Sequence, residues 1–377
     1  MRAAAEDLKR YGATVVPAFS SEEDFSRWKE RVWQAMDEFP EYKVHGRNAQ
    51  RVLGGFGAYA NPASFHHPTI QRLRTELKRR VSRPLFLRYV RRPDANVEVL
   101  FDRLCVRHAT FGTVTAEAWH RDIYDHAKYG VRPLAQRDEL FGGWVNLSDE
   151  VQRFRGILGS HTEPEAMRAQ ERGGGFALLT KAEIAQQCVD ARLAAQAGGT
   201  FGGMRCTADG DVQVPPGHML VFYQRLLHAV APSKPPTTPQ LRLFFGHRVT
   251  LEQTPLFPLD LILLDNRVPR IPSGQIPPMY SQNHYAFFSR TPKYREWGQK
   301  TFKTQCLYER TTPSGMPYAT PGSRNNLEPS CNLSRSMPSL TRMGFPAYAY
   351  TEATRATMTP ETLDLYGPDT DVLEAED

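Results

Sequence analysis

The sequence lacks long apolar runs and paired cysteines, and each absence excludes a class of protein. No run of about 18 apolar residues occurs, and the N-terminus has no apolar core of the signal-peptide kind, so we predict no membrane partner. Five cysteines stand at wide, irregular spacings, and none forms the C-x-x-C pair of a zinc or redox site. We therefore expect reduced thiols and a location in the cytoplasm or another reducing intracellular compartment.

Neither the composition nor the charge of the chain singles out a nucleic-acid partner. The 377 residues are 40% hydrophobic and 23% charged, as in an ordinary globular protein, and the net charge of +6 is small for this length. A basic stretch does occur within residues 72–83. Apolar residues recur through it at helical spacing, at Ile70, Leu73, Leu77 and Val81. This spacing predicts that the charges cover the solvated face of a helix.

Short β-rich runs separated by turns dominate the chain after an N-terminal helix, strand and helix. We predict the first helix over residues 4–11, and a second helix that begins at Ser20 or Ser21 with a capping-box-like start. The β-rich runs cover residues 85–90, 97–101, 104–108, 140–147, 176–179, 212–214, 219–223 and 241–249. No G-x-G-x-x-G or P-loop signature accompanies them. The pattern predicts a mainly β protein with flanking helices, an antiparallel sandwich or barrel rather than alternating βαβ units.

Two segments interrupt or follow this β-rich pattern. A helical insert is predicted at about residues 163–203, with Thr180 as the helix N-cap and Glu183 at its third position. Beyond residue 250 the periodicity fades, and 15 of the 29 prolines fall in the last 127 residues. We therefore predict one domain over residues 1–250 and a proline-rich C-terminal extension over 251–377 that wraps the core and is partly irregular.

Four residues have the spacing of a non-haem iron site. His120 and Asp122 are separated by one residue, so on an extended chain both side chains lie on the same face. His228 follows much later, and Arg242 stands alone in the apolar run 241–245. Two imidazoles and one carboxylate on one face of an octahedron leave three positions for a keto-acid and dioxygen on iron(II). Arg242 offers the guanidinium that neutralises the far carboxylate of such a co-substrate.

Other interpretations of these residues lead to other kinds of protein. If His120 and Asp122 are a surface pair and His228 is a core histidine, the chain is a β-sandwich binding or structural protein. A metal-dependent enzyme of the cupin type without a keto-acid is a third interpretation, which Arg242 on a core strand disfavours. Arg107 is a further candidate for contacting the keto-acid or an acidic substrate, with a surface ion pair as its alternative.

Five short motifs also recur in an order that resembles a known family. They are the opening 8–17, the W-H-x-D of residues 119–122, the strand motif 143–149, the Gly-Ser-His turn 159–161 and the segment 216–222. Over roughly residues 7–250 the chain resembles the phytanoyl-CoA dioxygenase-like branch of the Fe(II)/2-oxoglutarate oxygenases. Arg242 falls where the keto-acid arginine of that family begins the last core strand. Leu158 replaces the usual proline of the turn, but no ligand position is altered.

The resemblance implies a double-stranded β-helix, the cupin-like jelly-roll, with metal and keto-acid in its mouth. It implies His120, Asp122 and His228 as metal ligands and catalytic residues and Arg242 as a co-substrate residue, to which we add Arg107. Fe(II) and 2-oxoglutarate are the implied cofactors, and dioxygen is consumed in hydroxylation with release of succinate and CO2. Retention of Asp122 favours hydroxylation over halogenation. The substrate is unidentified, a small molecule being favoured over a protein or nucleic acid, and the alternative is a catalytically inactive jelly-roll protein.

Overall fold

The mainly β architecture predicted from the sequence is present in the protein. The computed structural model describes residues 1–37, 51–53, 56–59, 67–100, 104–108, 119–122, 138–168 and 177–250. Within these ranges the chain forms mostly antiparallel sheets with flanking helices. No helix in the described ranges is long and apolar enough to cross a membrane. The predicted extension 251–377 lies outside the described residues, as does part of the predicted insert.

The elements follow one another along the chain with helices at the front and in the insert. The helices are α1 Arg2–Tyr11, α2 Glu22–Met36, α3 Pro68–Leu77, α4 Arg83–Val90, α5 Pro164–Arg168, α6 Lys181–Gln186 and α7 Val189–Gln196, and a π turn, Lys78–Ser82, joins α3 to α4. The strands are β1 Ala13–Pro17, β2 Arg51–Leu53, β3 Phe56–Tyr59, β4 Asn96–Leu100, β5 Leu104–Arg107, β6 His120–Arg121, β7 Asp138–Asn146, β8 Gln152–Gly156, β9 Ala177–Leu178, β10 Thr200–Phe201, β11 Met204–Arg205, β12 Val212–Val214, β13 His218–Tyr223, β14 His228–Ala229, β15 Gln240–Phe244 and β16 Gly246–Thr250.

Eight of these strands are wound between two sheets in the manner of a jelly-roll. The nine-stranded sheet, called the major sheet below, contains the order β13-β7-β15-β5, and the five-stranded minor sheet contains β12-β8-β14-β6. Along the chain, β5, β7, β13 and β15 of the major sheet are therefore interleaved with β6, β8, β12 and β14 of the minor sheet. Neighbouring strands within each order run antiparallel. This winding confirms the predicted double-stranded β-helix.

An apolar layer between the two sheets forms the interior of the jelly-roll. Trp144, Leu220 and Phe222 of the major sheet pack in one buried cluster with Phe154 and Val212 of the minor sheet. The rings of Phe154 and Phe222 lie 4.8 Å apart between their centroids. The two sheets therefore face each other across a closely packed core, and inward-pointing polar residues at its edge stand out as candidates for function.

Helices cover the outer faces of both sheets. On the major sheet, a second cluster joins strand residues such as Val145 and Leu243 to Phe25 of α2 and Phe86 of α4. On the minor sheet, Ile157, Leu227 and Ala229 pack against Val189 and Leu193 of α7. Each sheet thus has an inner and an outer buried face, which explains why their strands are apolar at successive positions.

The first helix is tied to the Gly-Ser-His turn of residues 159–161. α1 ends at Gly12, whose φ of 74° is left-handed, and a Cβ atom there would lie 2.4 Å from Nδ1 of His161. The amide of Gly159 donates to the carbonyl oxygen of Tyr11 at 2.8 Å, and the His161 ring contacts the Lys9 carbonyl oxygen at 3.0 Å. The turn that begins the insert is therefore anchored to the N-terminal helix.

The predicted helix caps are confirmed, while one predicted strand is wrong. Ser21 accepts a hydrogen bond from the Asp24 amide at the start of α2, and Thr180 with Glu183 forms a complete capping box. The predicted insert helix is divided into α6 and α7 at Cys188, which has a left-handed φ of 48°. Residues 85–90 form helix α4 rather than a strand, because a short apolar run has no decisive period and packing decides its conformation.

The basic stretch is only partly on a solvated helix face. Its predicted apolar face is confirmed, since Ile70, Leu73, Leu77 and Val81 are all buried. Arg74 and Lys78, however, are also buried, at 0% and 3% exposure, so the prediction that all charges are solvated is wrong for these two. Arg74 donates to the Phe244 carbonyl oxygen at 3.0 Å, so that its long side chain is part of the packing between helix and sheet.

Candidate functional site

The three predicted ligand residues lie together on the minor sheet. Strand β6 pairs with β14, and in that pair His120 stands directly opposite His228. Asp122 follows β6 and returns to the face of His120, because side chains alternate along an extended chain. One ligand atom of each residue lies within 4.8 Å of the other two. The fold therefore brings together three residues that are far apart in the sequence.

The separations among the three side chains fit a shared divalent ion. Nε2 of His120 lies 3.4 Å from Oδ1 of Asp122, and Nε2 of His228 lies 3.4 Å from Oδ2. Ligand atoms bound at right angles to one ion by bonds of about 2.1 Å are roughly 3 Å apart. The residues could accept such an ion with small adjustments, and they form a two-histidine, one-carboxylate donor set.

The hydrogen bonds and charges around the triad favour its metal-binding form. Nδ1 of His228 lies 2.9 Å from the carbonyl oxygen of Leu226, which assigns the proton to Nδ1 and leaves the Nε2 lone pair facing Asp122. Burial, and then the nearby His120, lower the pKa of His228, so the ring is neutral at pH 7. Burial opposes ionisation of Asp122, but the two histidines hold the pKa of that carboxyl well below its usual range.

Apolar rings enclose His228 inside the jelly-roll. The centroid of its ring lies 4.8 Å from that of Phe222 and 5.7 Å from that of Phe154. Both phenylalanines belong to the layer between the sheets. His228 therefore points into the interior, while its chain neighbours Leu227 and Ala229 face the helices outside.

Arg242 points into the same interior from the major sheet. It stands on β15 opposite Cys105 of β5 and Asn146 of β7. Its guanidinium carbon lies 4.0 Å from the centroid of the Trp144 ring, and its Nε donates to the side chain of Gln152 on the minor sheet. Burial lowers the pKa of Arg242 to about 9, with Cys105 raising it and Arg107 lowering it further. The side chain is still a cation at pH 7.

Arg107 is a buried residue and does not lie on the surface. It is 2% exposed and stands opposite Gln240 in the pairing of β5 with β15. Its guanidinium donates to the hydroxyl of Ser233, and also to the Ser233 carbonyl oxygen at 3.0 Å. Burial lowers the pKa of Arg107. Since Arg107 also lowers the pKa of Arg242, two cationic side chains lie close to each other.

The residues that hold Arg242 in place were missed in the sequence. Gln152 accepts from Arg242 and donates to Oδ1 of Asn146 and to the hydroxyl of Ser148, each at 2.8 Å. No signal in the sequence marked Gln152, because strand β8 was not predicted. The contact of Trp144 with Arg242 could not be foreseen from spacing.

Comparisons with known proteins identify similar folds at low identity. No family model matches the chain, and no curated protein matches it, so membership of the phytanoyl-CoA dioxygenase-like family remains a prediction. The epimerase SnoN, in complex with Fe3+, alpha ketoglutarate and nogalamycin RO, is 13% identical over 67% of this chain and 83% of its own, with a TM-score of 0.40. HygX from Streptomyces hygroscopicus, with nickel and 2-oxoglutarate bound, is 17% identical over 66% and 86%, with a TM-score of 0.39. At these values the similarity assigns no function.

Proposed function

We propose that the chain is a non-haem Fe(II) oxygenase that uses 2-oxoglutarate and dioxygen and hydroxylates a small molecule. His120, Asp122 and His228 are the proposed metal ligands and catalytic residues, and Arg242 with Arg107 binds the co-substrate. The observation that carries the proposal is the convergence of the three ligand atoms within 4.8 Å on jelly-roll strands. Such a donor set leaves three adjacent positions of an octahedral ion open, as a chelating keto-acid and dioxygen require.

His228 and Asp122 have defined tasks in this proposal. When bound, Fe(II) would activate dioxygen, the oxidant, for attack on an unactivated C–H bond, and 2-oxoglutarate would supply two electrons as it loses CO2 to become succinate. His228 is held in the correct tautomer by the Leu226 carbonyl oxygen, and Asp122 supplies the negative charge that offsets the ion. Phe154 and Phe222 exclude water from the interior side of His228. The chain therefore orients the ion and shields it.

The guanidinium groups of the half-buried Arg242 and the buried Arg107 fit the dicarboxylic co-substrate. The planar guanidinium of Arg242 can donate two charge-assisted hydrogen bonds to one carboxylate. The Trp144 ring lies against this guanidinium and holds it in one orientation. A bound carboxylate would offset the cost of burying the charges of Arg242 and Arg107. Loss of CO2 from 2-oxoglutarate leaves succinate, a dicarboxylate of the same charge, so the same cations would hold the product until it dissociates.

The enclosure of the triad favours a small substrate. The side chains of His120, Asp122 and His228 are exposed by 18%, 24% and 8%. A site so shielded admits a small molecule more readily than the flat surface of a macromolecule.

Anaerobic titration with Fe(II) and then 2-oxoglutarate tests the proposal. We expect the weak visible charge-transfer band of a metal-chelated keto-acid in the unmodified protein and its loss in His228→Ala, because that variant removes a ligand. His218→Ala is the matched control, since this half-buried histidine contacts the Pro216 carbonyl oxygen rather than the triad. The control should keep the band.

Two further outcomes separate the alternatives. A band in the unmodified protein justifies a substrate screen in which succinate release is measured, and products distinguish hydroxylation from other oxidations. If metal binds but 2-oxoglutarate produces no band at millimolar concentration, the chain is instead an inactive jelly-roll binding protein, and the proposal is wrong.

A further inference from the structure

The strands that carry the metal ligands are too short to fix their own spacing. β6 and β14 each contain two residues, and a single register pair, His120 with His228, joins them. Strands of this length provide few ladder hydrogen bonds, so they tolerate small displacements. β14 is also paired with β8, and β6 with β9, over two residues each, so contacts made by other groups add to what sets the distance between the ligands.

Arg121 makes such contacts from between the two ligands of β6. It alternates with His120 and Asp122, so its side chain points to the opposite, outer face of the minor sheet, where it is 2% exposed. One terminal nitrogen donates to the carbonyl oxygen of Ser160 at 2.9 Å and to that of Arg225. Because Arg225 lies three residues before His228, the guanidinium joins the two ligand-bearing segments.

Ser160 contacts the same two segments with its two oxygen atoms. Its carbonyl oxygen accepts from Arg121, and its hydroxyl accepts from the backbone amide of Leu227 at 2.8 Å. Leu227 immediately precedes His228, and its carbonyl oxygen accepts from the Ile157 amide at 2.8 Å. Ser160 is fully buried, so water does not compete for these bonds.

An ion pair with the half-buried Glu163 fixes the buried Arg121 guanidinium to the helical layer. Its second terminal nitrogen lies 3.2 Å from the carboxylate of Glu163, which in turn lies 2.6 Å from Arg192 of α7. The carboxylate offsets the cost of burying the Arg121 charge. The group that bridges the ligand segments is therefore itself held from three sides.

We propose that Arg121 and Ser160 are a positioning pair that sets the separation between the His120–Asp122 segment and His228. Neither residue contacts the proposed metal. This inference rests on the proposed function, because it takes the triad to be the ligand set. Groups that orient metal ligands from behind them typically change metal affinity by about 10- to 100-fold when they are removed.

Cobalt(II) titration of the whole chain tests the pair without any need for activity. Calorimetry gives the dissociation constant, and the visible spectrum of bound Co(II) reports the coordination geometry. We expect Arg121→Met to raise the dissociation constant by about 10- to 100-fold with an altered spectrum, and Ser160→Ala to raise it by less. Arg121→Lys keeps the charge without the planar fork and should recover part of the affinity.

Arg155→Met is the matched control. Arg155 also forms a buried ion pair on the minor sheet, with Asp211 at 2.5 Å. Its backbone stands opposite Ala229, but its side chain is directed to Asp211 next to β12, so the substitution leaves the pairing of β8 with β14 in place. We expect this variant to lower the temperature of unfolding while Co(II) affinity and spectrum stay unchanged. If it weakens Co(II) binding as much as Arg121→Met does, the effect is general destabilisation and the inference is wrong.

The remaining outcomes separate the inference from the proposed function. Unchanged Co(II) affinity in folded Arg121→Met and Ser160→Ala, with tight binding by the unmodified protein, overturns the inference alone. If Arg121→Met does not fold, Ser160→Ala decides, since it removes one hydroxyl and leaves Arg121 in place. Failure of the unmodified protein to bind Co(II) overturns the proposed function and the inference together.

Discussion

The two halves of the candidate site are held in place in different ways. Arg242 stands in the middle of the five-residue strand β15, paired on one side with β5 and on the other with β7 in the major sheet. His120 and His228 stand on two-residue strands of the minor sheet. His120 and His228 are also paired on both sides, but only over two residues, so buried side chains such as Arg121 and Ser160 add contacts that a five-residue strand needs less.

This difference predicts that the two halves can be changed independently. A substitution in the co-substrate half leaves the β6 and β14 segments untouched, so metal affinity should be preserved. A substitution behind the ligands leaves the Gln152 and Trp144 contacts of Arg242 untouched. The comparison is therefore tested by substitutions that should weaken 2-oxoglutarate binding while metal binding is kept, or weaken metal binding while the contacts of Arg242 are kept.

The largest effect should come from Arg242→Ala. Loss of one partner of a charged, hydrogen-bonded pair costs about 2–5 kcal/mol, so we expect 2-oxoglutarate to bind roughly 30-fold more weakly or worse. Metal affinity should change by less than about twofold, because Arg242 is not part of the ligand set. The keto-acid charge-transfer band measures the first quantity, and calorimetry with Co(II) measures the second.

Arg242→Lys separates the contribution of charge from that of shape, because it keeps the positive charge and removes the planar guanidinium. We expect an intermediate affinity for 2-oxoglutarate. A loss of Co(II) binding in Arg242→Ala would contradict the independence of the two halves, since it would mean that the major sheet also positions the metal ligands.

A second prediction concerns acid stability of the outer face of the major sheet. His247 of β16 is fully buried between the rings of Phe86 and Phe245, and neither ring nitrogen has a hydrogen-bond partner among the described residues. Burial, and then Lys78, lower the pKa of His247 to about 3. The unfolded chain binds a proton near pH 6.5 while the folded chain does not, so stability falls as the pH drops from about 6.5 towards 3.

His247→Leu should remove this acid sensitivity. Between pH 7 and pH 5 the unmodified protein should lose about 2 kcal/mol of unfolding free energy through His247, and the variant should lose correspondingly less. Urea unfolding at the two pH values measures the difference. Phe86→Leu, which changes packing in the same cluster without a titratable group, should lower stability equally at both. If His247→Leu and the unmodified protein show the same pH dependence, His247 is protonated in the folded protein without loss of unfolding free energy, and the prediction is wrong.

The sequence predicted local patterns better than contacts between distant segments. The Thr180–Glu183 capping box and the strand 212–214 depend on neighbouring residues, and both are confirmed. The convergence of His120 and His228 was foreseeable, because His120 and Asp122 have the spacing of two ligands of one metal ion and His228 could supply the third ligand. The role of these residues is still a proposal.

Contacts that depend on the backbone of a distant segment could not be foreseen. Arg121 donates to the carbonyl oxygens of Ser160 and Arg225, and any residue type provides a carbonyl, so no sequence signal exists. The burial of Arg74 follows from a bond to the Phe244 carbonyl oxygen for the same reason. Helix α4 was mistaken for a strand because packing on other elements, rather than local propensity, decided its conformation.

The smallest effect on 2-oxoglutarate affinity should come from Trp144→Phe. This variant tests how much the Trp144 side chain adds to the strand pairing of β15 in positioning Arg242. The Arg242 guanidinium lies over the Trp144 ring at 4.0 Å, and such a contact contributes about 0.5–2 kcal/mol. A phenyl ring retains part of it, so we expect 2-oxoglutarate to bind about 3- to 10-fold more weakly, with unchanged Co(II) affinity. Trp28→Phe on α2 is the control, because that ring packs on the outer side of the major sheet and should affect neither ligand. If Trp144→Phe binds 2-oxoglutarate as tightly as the unmodified protein, pairing of β15 with its neighbours and the Gln152 contact position Arg242 without the Trp144 ring.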